Sequence, residues 1–537
     1  MDAGKKREYE LLELIRTGKP MTWSERLDLI VRLSIPSILA QLSVIVMLYI
    51  DASMVGSLGA NASASIGLVS TTTWLFSGVC TAAATGFSVQ VAHLIGANDP
   101  TGARTVLRQA FSATLLFGHF ASAVGCAVAT GARNVLRQAF SATLLFGLFA
   151  SAVGCAVSGS LPGWLGGNDA IAPDASRYFL IYALSLPFLQ VNYLSGSMLR
   201  CSGNMRVPSM LSVLMCVLDV IFNTLLIFPT RTVYWGGAEV VFPGAGMGVA
   251  GAALGTALAV IATAGLMTCY LWFRSPELAL GKERGSFRPT AECLRKAVRI
   301  GLPIGCEHVI LCGAQILTTV IVAPLGTAAI AANAFAITAE SLCYMPGYGI
   351  ADAATTLVGQ SKGAGRRMLT QRFARMTVSL GMVVMAFMGL VMYVAAPLMM
   401  GIMTPDPEIR ELGIMALRIE AFAEPMFAAS IVAYGAFIGA GDTVVTSCMN
   451  IFSIWAVRLP LAALYGAFIG AGDTVVPSCM NFFSIWAVRL TLAALLAPTM
   501  GLQGVWIAMC IELCFRGAIF LVRLLRGKWL GVATPAC

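Results

Sequence analysis

An apolar run close to the N-terminus decides the fold: residues Ile35–Gly59 read IPSILAQLSVIVMLYIDASMVGSLG. The run carries a single charged side chain, that of Asp51. A helix needs about 20 apolar residues to cross the ~30 Å hydrocarbon core of a bilayer, so this run is long enough. Runs of the same kind recur as far as about residue 525. The sequence therefore predicts an all-α polytopic membrane protein.

The composition excludes most soluble classes. Of 537 residues, 58% are hydrophobic and only 11% are charged, with a mean hydropathy of +0.81. An ordinary soluble domain carries about 25% charge. The 15 cysteines show no metal-ligand or disulfide spacing, so neither kind of site is expected. The net charge of +9 comes from basic residues in short loops between apolar runs, which gives no reason to expect a nucleic-acid partner.

Loop charges predict the orientation. Most of the 35 basic residues lie in the N-terminal segment and in every second loop. The positive-inside rule then places both termini in the cytoplasm, and the chain in the cell inner (plasma) membrane. The twelve predicted spans lie near 33–57, 64–95, within 103–158, 177–199, 208–228, 246–273, 297–323, 329–359, 372–402, 412–438, within 445–496 and 502–525.

A faint repeat relates the two halves of the chain. It predicts two six-helix bundles related by a pseudo-two-fold axis along the membrane normal, a geometry typical of secondary transporters. The matching segments are RLSIP at Arg32–Pro36 with RIGLP at Arg299–Pro303, GNMRVPS at Gly203–Ser209 with GDTVVTS at Gly441–Ser447, and Gly96 and Gly102 with Gly359 and Gly365.

Two further repeats are tandem and nearly identical. Thr101–Val128 recurs as Thr130–Val157 with two differences, and Tyr434–Leu464 recurs as Tyr465–Leu495 with three. One extra crossing in the first half would place the basic loops that follow on the outer side. We therefore predict that twelve spans are kept. One copy of each pair is expected to lie along the surface, to re-enter or to pack irregularly.

These observations divide the chain into five parts. The division is a cytoplasmic N-terminal segment at 1–28, an N-terminal bundle at 29–274 with its duplication at 101–157, a cytoplasmic linker at 275–296, a C-terminal bundle at 297–526 with its duplication at 434–495, and a cytoplasmic tail at 527–537.

Charged side chains within spans are the candidate site residues, because they are costly at membrane depth. Asp51 and Asp219 are the strongest, and Asn223 lies one helical turn after Asp219 on the same face. A carboxylate away from water holds a proton more readily, so this group could load and release H⁺ or bind Na⁺. The alternative is a structural hydrogen bond to a neighbouring helix.

The second half offers Glu307 in LPIGCEHVIL and Glu424 in AFAEPMF. Either could carry a proton or bind a cationic substrate. Glu340 and Asp352 could do so too, or could equally be helix-end residues. No HExxH, GxSxG or Walker A sequence occurs, so neither an enzyme nor ATP-driven pumping is predicted, and no metal or cofactor is expected.

Several stretches together resemble the multidrug and toxic compound extrusion (MATE) transporters. The resemblance implies a V-shaped pair of bundles that exports amphipathic, often cationic, compounds in exchange for H⁺ or Na⁺ by alternating access. The stretches are Ile35–Gly59, the MLRCSGNMRVPS loop, LDVIFNTLLIF at Leu218–Phe228, GVAGAALGT at Gly248–Thr256, GLPIG at Gly301–Gly305, and GAGDTVVPS with IWAVRL.

The resemblance also assigns residues. It identifies Asp51 with the Asp of the family's first span, places Asn192 and Thr256 near positions that the family uses, and matches Glu307 and Glu424 to carboxylates of some branches. Relatives with an Asn four residues before the fifth-span Asp would use it as an ion ligand. Met215 stands there in this chain, which weakens the case for sodium coordination in this bundle and leaves H⁺ and Na⁺ both open.

Two other functions remain alternatives. A lipid or lipid-linked sugar flippase would share the two-bundle plan but should show more Arg and Lys in its cavity. GAGD at Gly439–Asp442 fits the GxGD string of intramembrane aspartyl proteases, yet the Tyr-Asp pair that such enzymes need is absent. A glycine-rich turn with an Asp cap explains the string better. The expected partners are small-molecule substrates and the bilayer, and a monomer is expected.

Overall fold

The protein forms two helical bundles preceded by a short surface helix. The computed structural model describes residues 3–110, 151, 154–161, 171–235, 238–279, 291–322, 327–404, 406–443, 447, 449 and 502–527. Within these ranges the first bundle comprises α2 (Trp23–Gly56), α3 (Ala60–Gly96), α4 (Ala172–Cys201), α5 (Arg206–Ile227) and α6 (Gly248–Phe273), and α1 (Ala3–Arg16) precedes it. The second bundle comprises α7 (Ala291–Val322), α8 (Thr327–Gly363), α9 (Arg367–Met403), α10 (Pro407–Glu420), α11 (Glu424–Gly439) and α12 (Leu502–Arg526).

The long helices follow from apolar composition and from clear start signals. Thr22 caps α2 by accepting from the backbone N–H of Glu25, and the Glu25 side chain accepts from the backbone of Thr22 in return. Seven helices in the described ranges are long and apolar enough to cross a membrane, and the bent pair α10–α11 makes an eighth. The chain is therefore a multi-pass membrane protein, as the hydropathy predicts.

The two ends of the bundles differ in charge. We call the end that carries the basic loops, where α2, α5, α7 and α9 begin, the basic side. We call the opposite end the hairpin side, because the strands β1 (Pro229–Trp235) and β2 (Ala238–Ala245) form an antiparallel hairpin there between α5 and α6. The sequence did not predict this hairpin, which is a small addition to an otherwise helical fold.

The two-fold repeat is visible in the packing. Helices α3 and α8 both have 37 residues, and the spacing that relates Pro36 to Pro303 also relates Gly96 to Gly363. A Cβ at Gly96 would overlap the carbonyl oxygen of Gln360, and a Cβ at Gly363 would overlap that of His93. His93 and Gln360 are themselves counterparts at the same spacing. The structural counterpart of Gly96 is thus Gly363, and the predicted pairing with Gly359 is wrong.

One span of the second bundle is broken. The predicted span 412–438 consists of α10 and α11, which meet at 61° across a three-residue break. Gly203 and Gly441, which follow α4 and α11, are counterparts and both have positive φ, +95° and +75°. The spacing between Gly203 and Gly441 also relates Pro187 to Pro425, and Pro187 lies inside the unbroken α4. The break therefore belongs to the second half alone.

The ends on either side of the duplications keep the expected alternation. Helices α3 and α4, which flank the first duplication, both end on the basic side. There Gln360 contacts both Gly96 and the carbonyl of Cys201. In the second bundle, Asp442 after α11 pairs with Arg523 near the end of α12. The described helices therefore run in the directions that twelve spans require. The duplicated copies themselves lie largely outside the described residues, and so does the prediction about their placement.

The suggestion that Glu340 and Asp352 are helix-end residues is wrong. Both lie inside α8, which runs on through Pro346. Asp352 faces the first bundle, where the Ser37 hydroxyl donates to its Oδ2 at 2.8 Å. The GAGD segment, by contrast, is a turn after α11 as predicted, and its Asp442 pairs with Arg523.

Candidate functional site

The first bundle brings the two strongest candidates together. The amide Nδ2 of Asn223 donates to Asp51 Oδ1 at 2.9 Å and to Asp219 Oδ2 at 3.1 Å. Asp219 and Asn223 are 0% exposed, and Asp51 is half-buried. The two carboxyl groups also lie within hydrogen-bonding reach of each other. A hydrogen bond between two carboxyls requires one of them to carry a proton, so this group, the carboxylate pair, is built to share one.

Helix α6 closes the carboxylate pair from the other side. Gly255 lets the Asn223 side chain pack against its backbone, since a Cβ there would overlap Asn223 Oδ1. The next residue, Thr256, lies within hydrogen-bonding reach of Asp219 while its hydroxyl donates to the Ala252 carbonyl at 3.1 Å. A hydroxyl can both donate and accept, so Thr256 can donate to an ionised Asp219 or accept from a protonated one.

Asn192 does not reach the carboxylate pair. Its Nδ2 lies 3.7 Å from the Met215 sulfur, one helical turn before Asp219. Its Oδ1 is buried without a hydrogen-bond partner among the described residues, as are Asp219 Oδ1 and Asn223 Oδ1. Of the five residues predicted for this site, the structure thus groups Asp51, Asp219, Asn223 and Thr256, and places Asn192 at the next turn.

The carboxylate pair lies nearer the hairpin side. Asp219 is eight residues from the end of α5 and Thr256 eight from the start of α6, a depth of about 12 Å at 1.5 Å per residue. On the basic side the bundles touch: Gln360 Nε2 donates to the Cys201 carbonyl at 3.0 Å, and His93 Nε2 lies 2.8 Å from the Gly439 carbonyl. We call these contacts, with the Gly96 and Gly363 contacts, the basic-side seam.

Glu307 and Glu424 occupy two separate places in the second bundle. Glu307 is 3% exposed and its Oε2 accepts from the Tyr434 hydroxyl at 2.7 Å. Tyr434 lies ten residues after Glu424 on α11, about 15 Å along the helix. The two glutamates therefore cannot bind one small ion together.

Glu424 is the first residue of α11, directly after the break, and is 1% exposed. Both of its carboxylate oxygens are buried and have no hydrogen-bond partner among the described residues. Glu340 of α8 and Glu420 of α10 are also buried in this bundle. Glu512 of α12 is 0% exposed and lies 3.4 Å from Arg516. Sequence reasoning missed Glu512, Arg516 and Tyr434, although Glu512 and Arg516 stand one turn apart inside an apolar span, which is a readable signal.

The described residues indicate no metal centre. Within the described ranges, no three His, Cys, Asp or Glu side chains are grouped closely enough to hold a metal ion. Thr256 and the carboxylate pair bring oxygen atoms of three side chains together, and such a group can bind a proton or a monovalent cation.

Solved structures share this fold. One, a MOP superfamily transporter from Pyrococcus furiosus described as having a binding pocket of reverse polarity, aligns with a TM-score of 0.77 over 97% of this chain and 99% of its own, at 18% identity. Another, an outward-facing multidrug resistance MATE transporter, aligns with a TM-score of 0.76 over 97% and 98%, at 19% identity.

Curated relatives match along most of the sequence. A probable multidrug resistance protein NorM from Thermotoga maritima is 25% identical over 89% of this chain and 88% of its own length. A probable NorM from Pseudomonas aeruginosa is 28% identical over 82% of both. The MatE family model matches residues 36–130, 120–225 and 303–464. Those matches cover more than half of the chain, and its helices have the same fold as the solved MATE transporter. The protein therefore belongs to the MatE family of transporters.

Proposed function

We propose that the protein is a secondary active antiporter that exports amphipathic, often cationic, compounds in exchange for an ion by alternating access. The carboxylate pair carries this proposal: two acidic groups on two helices of one bundle, joined by one amide and closed by a third helix. Such a group changes its charge when it gains or loses a proton, and that charge can bias how the surrounding helices pack. Relatives named as multidrug resistance proteins support the substrate class.

We propose H⁺ as the coupling ion. The amide of Asn223 turns its two N–H donors toward the carboxylates, an arrangement that suits a pair holding one proton. Sodium would instead need several oxygen ligands, and Met215 supplies a thioether where an oxygen would help. We also propose that the basic side faces the cytoplasm, so that the closed seam makes this an outward-facing state, and that transport involves no catalysis.

The test is efflux of a fluorescent cation from cells expressing the chain, with the H⁺ and Na⁺ gradients collapsed separately. Efflux should stop when the H⁺ gradient is removed and persist without the Na⁺ gradient. Asp51→Asn should reduce it at least about tenfold, equivalent to about 1.4 kcal/mol. Asp28→Asn makes the same chemical change near the start of the same helix and should have little effect. Efflux that depends on Na⁺ alone would overturn the ion assignment.

One feature favours lipid translocation as the second candidate function. Arg418 is exposed in α10, eleven residues from its start, and its guanidinium lies 5.3 Å over the Tyr393 ring. It borders a cavity of ≈ 540 Å³ that is otherwise lined by Tyr393, Met415, Ile419, Phe422, Ile507, Cys510 and Ile511. A single cation is a poor match to a phosphate-rich guest, so we rank this function second. If it is right, Arg418→Gln will slow translocation of a fluorescent phospholipid in vesicles and Arg410→Gln will not.

A further inference from the structure

The N-terminal helix α1 lies across the basic ends of both bundles. Its apolar face is buried, with Leu11 and Ile15 0% exposed and Leu12 4% exposed. These side chains share one apolar cluster with Met205 of the first bundle and with residues of the second. The second-bundle members of that cluster are Ala353, Leu357, Leu369 and Phe373.

Several polar contacts hold α1 to the first bundle. Arg16 Nη1 lies 2.5 Å from Glu277 Oε1, in a pair whose side chains are only 9% and 15% exposed. Glu8 Oε2 lies 3.1 Å from Arg206 Nε at the start of α5. The Tyr9 hydroxyl also donates to Glu277 at 3.2 Å, and partial burial together with the Glu277 carboxylate raises the pKa of Tyr9, so this donor is kept at neutral pH.

A further contact ties α1 to the second bundle. Arg366, in the loop between α8 and α9, donates from Nη1 to the Leu14 carbonyl at 2.8 Å. Leu14 is near the end of α1, where carbonyl groups lack helical partners, so a cation there is stabilising. Between the two attachments, Leu12 packs over Gly203, which lies directly beside Gln360 of the basic-side seam.

We propose that α1 is a strap that holds the basic side closed, and that it must leave the second bundle before that side can open. This inference rests on the proposed alternating access, because opening the basic side moves the Glu277 and Arg206 attachments away from Arg366 and Phe373. Since α1 is joined to α2 through a short turn, it stays with the first bundle and gives up its contacts with the second.

Cys201 is a native reporter of the basic-side seam. It is 4% exposed at the end of α4, and its carbonyl accepts from Gln360. Opening of the seam would expose its thiol to water on the basic side. Cys343 is 2% exposed inside the second bundle, away from the seam, and reports on unfolding instead.

The experiment measures maleimide labelling at both cysteines by peptide mass spectrometry, using the full chain in inside-out vesicles. Arg366→Ala and Leu12→Asp should each raise the labelling rate of Cys201. A loss of about 1.4 kcal/mol in the free energy that favours the closed seam would raise this rate about tenfold. The rate at Cys343 should not change. Arg367→Ala is the matched control, because the neighbouring Arg367 is exposed and its side chain makes no hydrogen bond or ion pair with α1 among the described residues.

If Cys201 is labelled at the same rate in the unsubstituted chain, in Arg366→Ala and in Arg367→Ala, the proposal that α1 is a strap is wrong. If Leu12→Asp also raises Cys343 labelling, that variant has unfolded, and the comparison of Arg366→Ala with Arg367→Ala then decides the test. Efflux measured in the same variants separates failure of the strap from failure of the antiporter. Cys201 exposure with unchanged ion dependence supports the strap, whereas loss of ion dependence in every variant would count against the antiporter itself.

Discussion

At the residue scale, the position of the Asn223 amide depends on the missing side chain of Gly255. A Cβ at that position would overlap Asn223 Oδ1 and push the amide away from the carboxylate pair. The displaced amide would leave the buried Asp219 carboxyl and the half-buried Asp51 carboxyl without their common donor, and leaving a buried polar group unpaired costs about 1–3 kcal/mol.

We therefore expect Gly255→Ala to reduce ion-coupled efflux about tenfold or more, as a loss of about 1.4 kcal/mol would. Gly265→Ala is the control on the same helix, since nothing lies within 4 Å of a Cβ there. Efflux assays on both variants at equal expression make the comparison. Unchanged efflux in Gly255→Ala would show that the amide can shift without harm.

Charge inside apolar runs was enough to single out Asp51, Asp219 and Glu307 as candidates. It did not reveal what surrounds them. Gly255 lies in a stretch of small residues where no position stands out, and Tyr434 meets Glu307 across 127 residues of sequence. Such partners depend on how helices dock, which a single sequence does not display.

At the element scale, two glycines set how closely α3 and α8 approach. Gly96 and Gly363 each contact a backbone carbonyl of the other helix, so a methyl group at either must force the seam apart. Because the two positions are related by the two-fold axis, the penalties should be similar.

We expect Gly96→Ala and Gly363→Ala to raise maleimide labelling of Cys201 by similar factors. Gly67→Ala, on α3 but in open space, should leave labelling unchanged. A large effect in one of the two seam variants and none in the other would contradict the symmetry of the contact.

The break between α10 and α11 was not predicted from the sequence. Proline alone does not explain it, because Pro187 lies within the continuous α4. The counterparts of Tyr182 and Leu186 in α4 are Glu420 and Glu424, which flank the break. Tyr182 donates to the Thr73 carbonyl and so ties α4 to α3. The glutamates offer no such donor when ionised, and hydropathy treats the whole region as one span.

At the scale of the whole molecule, the spans and the two-fold repeat were readable from the sequence because hydropathy and the matching segments record them directly. The cytoplasmic orientation of the termini stays a prediction. The closed basic side was not readable, since it depends on backbone contacts at glycines and on one docked helix. The duplications left the order and direction of the described helices intact.

That order predicts the result of removing the second copies. Deleting 130–158 and 465–495 should give a chain that inserts with the same orientation and shows efflux at least equal to that of the full chain. Cation efflux, with labelling of Cys201 from the basic side, measures both. A shortened chain that is well expressed but inactive would show that the copies contribute to transport.

The reciprocal glycine contact has an evolutionary consequence. A contact in which Gly96 touches Gln360 while Gly363 touches His93 has the form of an isologous interface, the kind made by two identical subunits about a two-fold axis. Two copies of a single half-length chain could form it with one glycine and one neighbouring carbonyl each. The basic-side seam thus has the geometry that fusing two copies of such a chain into one polypeptide would produce.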